Sequence, residues 1–104
     1  MVESSETDTT LPGADGEVAL LIAVADPIRW AVLEALADAQ RCVCDLQERV
    51  PVPGNLLSYH LKVLREAGLV TATRRGRWID YALADDAQER MRRALPGART
   101  MAQA

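Results

Sequence analysis

Residues 55–81 read NLLSYHLKVLREAGLVTATRRGRWIDY, which spells a helix, a sharp stop and a two-stranded ribbon. Leu57, Leu61 and Leu64 recur at helical spacing and make one apolar stripe, widened by Val63 and Ala67. The other side carries Asn55, Ser58, Tyr59, Lys62 and Glu66, with Arg65 nearby. This face lacks the alternating Glu and Lys of an ordinary solvated helix. Its small and planar hydrogen-bonding groups, joined by two cations, suit phosphates and base edges in a major groove. Gly68 supplies a left-handed stop. Residues 69–74 then alternate and are β-branched, Arg75-Gly76 turns, and 77–83 alternates again through Trp78, Ile79, Tyr81 and Leu83. The ribbon tip thus holds Arg74, Arg75 and Arg77. A groove-reading helix followed by a basic ribbon is the winged helix-turn-helix arrangement.

With 104 residues the chain supports one small domain, and 49% hydrophobic residues provide a core. That core is modest for a lone domain, so pairing with a second copy is favoured. No apolar run approaches the ~18 residues of a membrane span, so no membrane partner is expected. The acidic, polar start lacks a secretory pattern, and a cytoplasmic protein is expected. The formal charge is −3, yet its distribution matters more than its sum. Glu3, Glu6, Asp8, Asp15 and Glu17 crowd the beginning, whereas Lys62, Arg65, Arg74, Arg75 and Arg77 face only Glu66.

Residues 1–16 are expected to be an acidic, disordered tail, 17–95 the winged helix-turn-helix and dimerisation domain, and 96–104 a flexible end. A first helix is expected over 17–25. It is apolar on nearly every side, and one side is assigned to a dimer interface. Asp26-Pro27 starts a second helix through about Ala37, with Asp as cap and Pro at the first helical position. Ile28, Ala31, Val32, Ala35 and Leu36 form its buried stripe. A linker over 41–44 leads to a short third helix over 43–50. Pro51, Pro53 and Gly54 then turn the chain sharply into the 55–67 helix. A last helix over 84–95 is expected to open at Asp85 or Asp86, to group Ala87, Met91, Ala94 and Leu95, and to meet the first helix across the dimer. The expected fold is mostly α with a small β-hairpin: five helices, a two-stranded wing and a homodimer.

The segments ADPIRWAVLEAL, CVCDL, LLSYHLKVLREAGLV and RRGRWIDYAL, in that order, resemble the arsenic-repressor/SmtB-type family of bacterial metal-sensing regulators. The likeness covers residues 17–95. It implies a homodimer that binds double-stranded operator DNA and loses affinity when an effector metal binds. Ser58 and Lys62 match the family's DNA-reading positions. The CVC motif implies thiolate ligands at Cys42 and Cys44. Soft thiolates favour arsenite, cadmium, lead, zinc or copper, and support nickel less. The chain departs from the family at one arsenite site, where Gln47 occupies the position of a third cysteine. It also departs on the last helix, where Asp85, Asp86 and Glu89 stand without a histidine. Further donors would come from Asp45, His60, backbone, water or the second copy. Cys42 and Cys44 converge only where Cys42 precedes the first helical turn.

The expected function is a dimeric, metal-responsive, DNA-binding transcriptional regulator, in the repressing sense. The expected DNA contacts are Asn55, Ser58, Tyr59, Lys62, Arg65, Arg74, Arg75 and Arg77. Two readings compete: the same fold controlled by thiol oxidation or a protein partner, and a winged helix serving as a protein-interaction module. No glycine-rich phosphate loop is present and the lone His60 has no nucleophile beside it, so an enzyme is not expected.

Overall fold

A computed structural model of the chain describes residues 14–97. The elements run α1 (Ala14–Val24), α2 (Pro27–Asp38), β1 (Arg41–Cys42), α3 (Val43–Arg49), α4 (Gly54–Glu66), β2 (Val70–Arg75), β3 (Trp78–Leu83) and α5 (Ala87–Ala94). The winged helix-turn-helix is therefore present. Most of the two expected tails lies outside the described residues. Residues 14–16 form the opening of α1, and 96–97 a turn after α5.

Asp26 starts α2 as the sequence dictates. Its carboxylate accepts from the backbone N–H groups of Ile28 (2.8 Å) and Arg29 (3.0 Å). Such a cap is worth about 1 kcal/mol. The Arg29 N–H bond, followed by that of Ile28, draws the Asp26 carboxyl below its ordinary value. Val32, Leu33 and Leu36 of α2 meet Leu57, Leu61 and Leu64 of α4 in one core with Leu46, Leu69 and Val70. Leu57, Leu64, Leu46, Leu69 and Val32 are completely covered. Each such side chain contributes roughly 1.5–3 kcal/mol by leaving water. This burial fixes α4 by its inner stripe and leaves its outer face to solvent.

The sheet holds one strand more than the expected wing. β1 joins the antiparallel β2–β3 hairpin, giving the order β1-β3-β2. Its two residues pair as Arg41↔Tyr81 and Cys42↔Asp80. The β2–β3 register runs Val70↔Leu83, Ala72↔Tyr81, Thr73↔Asp80 and Arg75↔Trp78. Alternation then sorts the faces. Val70, Tyr81 and Leu83 pack against the core, and Cys42, Asp80, Thr73, Arg75 and Trp78 share the outer face.

The first and last helices differ most from expectation in their bounds. α1 begins at Ala14, before Glu17, and ends at Val24. α5 is shorter than expected, spanning Ala87–Ala94: Ala84, Asp85 and Asp86 lie in the turn before it, and the chain turns extended at Leu95. That swing leaves Leu95 exposed rather than grouped with Ala87 and Ala94. α5 also lies against α1 of its own chain. On α1, Leu20, Ala23 and Val24 are buried, whereas Val18 and Ile22 are 49% and 63% exposed.

Candidate functional site

The outer face of α4 presents Asn55, Ser58, Tyr59, Lys62 and Arg65, all exposed. Among the described residues, the side chains of Asn55, Ser58, Lys62 and Arg65 have no hydrogen-bond or ion-pair partner. Tyr59, 55% exposed, meets His60 in an edge-to-face pair, with ring centroids 5.1 Å apart. Polar groups left free on a rigid helix are available to a ligand without breaking any internal bond. Five of the eight expected DNA contacts are therefore brought onto one helical face.

His60 belongs to a different network. It is buried, and its Nδ1 accepts from the Arg29 guanidinium at 2.9 Å, because arginine carries donors alone. The same guanidinium donates to the Ala23 carbonyl (2.6 Å) and the Ile22 carbonyl (3.4 Å). Arg29 thus ties the end of α1 to α4, and His60 is engaged in packing rather than offered as a ligand.

Both ends of α4 are braced. Before it, the Gln47 side chain donates to the Val52 carbonyl and stiffens the Pro-rich turn. After it, Gly68 adopts φ 77, and the Arg90 guanidinium of α5 donates to the carbonyls of Gly68 (2.9 Å) and Ala67 (3.0 Å). A cation on the last carbonyls opposes the negative end of the helix dipole. A Cβ on Gly68 would lie 2.8 Å from a terminal nitrogen of the flexible Arg90 side chain and would push it aside, while the positive φ is what selects glycine. Sequence reasoning missed the structural roles of Gln47 and Arg90. Both act through contacts outside their own local pattern.

The ribbon tip is less uniform than its composition suggests. Arg74 donates to the Gly76 carbonyl at 3.2 Å. Arg75 forks onto Asp80, donating from Nε at 2.7 Å and Nη2 at 3.0 Å. Asp80 is buried and also accepts from Gln40 at 3.4 Å. Arg75, then Gln40, hold the Asp80 carboxyl below its ordinary value. Asp80 in turn raises the Arg75 pKa, with a smaller electrostatic contribution from Cys42. Arg77 extends from the tip without a partner among the described residues. Trp78 is 46% exposed.

Cys42 is the residue before α3, in extended conformation, and Cys44 lies in the first turn. Both are free thiols, half-buried and exposed respectively. Arg41 fixes this junction by donating to the Ala35 carbonyl of α2 (2.8 Å) and to Asp45 (2.8 Å). Asp45 also faces Arg49 at 3.7 Å. Arg41 holds its carboxyl below the ordinary range, and Arg49 helps. Among the described residues no group of three or more His, Cys, Asp or Glu is arranged to hold a metal ion.

Residues 26–72 match the family described as bacterial regulatory protein, arsR family. A biofilm growth-associated repressor from Agrobacterium fabrum is 38% identical over 80 residues, covering 76% of this chain and 68% of that protein. The chain belongs to the arsR family. The HTH-type transcriptional repressor SmtB of Mycobacterium tuberculosis is 48% identical over 66 residues, covering 64% of this chain. The match spans about half of that relative, 49% of its length. Among solved structures, HlyU from Vibrio cholerae superposes with a TM-score of 0.70 at 28% identity, covering 79% of this chain and 90% of that one. No described helix of this arsR-family chain is long and apolar enough to cross a membrane.

Proposed function

We propose that this arsR-family chain is a homodimeric transcriptional repressor that binds operator DNA and releases it when a thiophilic ion binds Cys42 and Cys44. The observation that carries the reading is the exposed row on α4, whose Asn55, Ser58, Lys62 and Arg65 side chains have no partner among the described residues, on a helix braced at both ends. Asn55, Ser58, Tyr59 and Lys62 would meet base edges and phosphates in the major groove, and Arg65 and Arg74 adjoining phosphates. Arg77 extends the contact from the ribbon tip. Arg75 joins it only after leaving Asp80. Dimerisation is supported by the uncovered Val18 and Ile22 on α1 and Leu95 after α5. The relatives' names, transcriptional repressor SmtB and biofilm growth-associated repressor, support the repressing direction.

The thiol pair sits at the first residues of the helix-turn-helix, so an ion there displaces α3 relative to α4. Two half-sites about one DNA turn apart tolerate little change in the spacing of their helices. The ion itself would supply soft coordination to sulfur and positive charge. The test is a titration of DNA from upstream of the chain's own coding sequence, at fixed salt. Arsenite, cadmium, lead, zinc, copper and nickel are added separately. The expected result is tight binding without metal, weaker binding with a thiophilic ion, and no response in the Cys42→Ser/Cys44→Ser protein. Equal affinity with and without every ion would contradict the reading. A response to peroxide alone would place control in thiol oxidation, which the exposure of Cys44 permits.

A further inference from the structure

We propose that Arg29 and His60 form a positioning pair that sets how the two α4 helices of the dimer are spaced, and with it the half-site separation the protein accepts on DNA. The inference rests on the dimer and α4 readings and names what joins those two surfaces within one chain.

α1 carries apolar residues left uncovered, yet burial alone does not orient it. Leu20, Ala23 and Val24 are buried, while Val18 and Ile22 on the same helix are equally apolar and face out. A helix hydrophobic on both sides gains about as much with either side inward, because apolar attraction has no direction. Its rotation about its own axis must come from directional bonds. The Arg29 guanidinium provides them. Its Nε donates to the Ala23 carbonyl at 2.6 Å and its Nη2 to the Ile22 carbonyl at 3.4 Å. Both carbonyls belong to the last turn of α1, where a cation also opposes the helix dipole. Ile22 is thereby held through its own backbone with its side chain turned out.

The same guanidinium reaches the DNA-reading helix. Its Nη1 donates to His60 Nδ1 at 2.9 Å. His60 is buried on the inner side of α4 with Leu57, Leu61 and Leu64, two residues from both Ser58 and Lys62. A guanidinium is planar and rigid, so its donors fix the acceptors on α1 and α4 relative to one another. Arg29 is itself anchored at the start of α2, where its backbone N–H donates to Asp26. The side of α1 offered to a second copy and the side of α4 offered to DNA are thus joined through one side chain. In a two-fold dimer a rotation of α4 against α1 occurs in both copies, so the change in separation doubles. Neither Arg29 nor His60 lies on the exposed row of α4, and their role is to aim it.

The experiment uses the full chain and duplexes built from the upstream DNA: both half-sites at native spacing, one half-site scrambled, and both with one base pair inserted between them. Wild type should bind the intact duplex most tightly and lose affinity on the other two. Arg29→Met and His60→Leu should lose roughly tenfold on the intact duplex, the worth of one hydrogen bond to a charged group, and little on the scrambled one. Their preference for native over inserted spacing should shrink by a similar factor. The double variant should lose no more than either single one, since both remove the same bond. His60→Gln keeps an acceptor and should retain most of the wild-type preference. Sedimentation checks that each protein is a dimer. Intact and scrambled affinities that fall in step would mark a merely structural role and overturn the proposal. An unchanged spacing preference in His60→Leu would overturn it too, and needs no folded Arg29→Met protein. A wild type that binds intact and scrambled duplexes equally overturns the dimer reading as well, before a variant is made.

Discussion

Helix α4 and the β2–β3 tip offer the same kinds of residue to solvent, and the structure treats them in opposite ways. On α4, Ser58, Lys62 and Arg65 have no side-chain partner among the described residues, and the helix beneath them is fixed by buried leucines. At the tip, Arg74 is turned onto Gly76 and Arg75 onto Asp80, leaving Arg77 outstretched. The difference teaches that a row of cations is not yet a contact surface. A charge already satisfied within the chain must give up its partner before it can serve a phosphate.

The comparison is most open to attack at α4. Ser58→Ala with Lys62→Ala should cost about 2–3 kcal/mol of operator binding, from one base contact and one phosphate contact. Gel-shift or anisotropy titration measures it, and the folded fraction should not change. An undiminished affinity would move the interface elsewhere.

The bracing of α4 is the next target. Gly68→Ala forces a side chain into φ 77 and against Arg90. It should destabilise the fold by about 1–3 kcal/mol, read from urea unfolding. Arg90→Ala should cost less in that background than in the native chain, because the added Cβ already displaces the guanidinium from the Gly68 and Ala67 carbonyls.

At the tip the comparison sharpens into a contrast between neighbours. Arg77→Gln should lower the dependence of log K on log salt by about 0.9, the share of one phosphate. Arg75→Gln should lower it less, since its partner in the free chain is Asp80. Equal slopes for the two would erase the distinction drawn between them.

The smallest effect concerns Asp26, whose folded pKa lies below its ordinary value of 3.8. A depressed carboxyl stabilises the fold above the unfolded value, and that contribution disappears as pH falls through the folded one. Asp26→Ala should therefore cost about 1 kcal/mol at neutral pH and progressively less in acid. A cost independent of pH would assign the effect to packing instead.

Much of this was legible locally. Asp26-Pro27 marks a helix start by short-range bonding, and the spacing of Leu57, Leu61 and Leu64 fixes which side of α4 is buried. Those signals depend on neighbours within a few residues. β1 was not legible, because Arg41 and Cys42 are too few to alternate and their partners lie at Tyr81 and Asp80. The grip of Asp80 on Arg75 and the bonds from Arg90 to Ala67 and Gly68 are likewise long-range or cross-strand. The composition of either segment alone does not announce them. Leu95 shows the converse error: helical spacing assigned it a buried place, but the helix ends one residue earlier.

The central claim is that two copies lay the Ser58–Lys62 face of α4 into successive major grooves on one side of a duplex. Methylation protection of guanine N7 on the upstream DNA tests it directly, since N7 lies in the major groove. The account predicts two protected patches about 10 base pairs apart on the same face, both lost in the Ser58→Ala/Lys62→Ala chain. Binding that leaves the major groove unprotected, or a single patch unaffected by those substitutions, would contradict it.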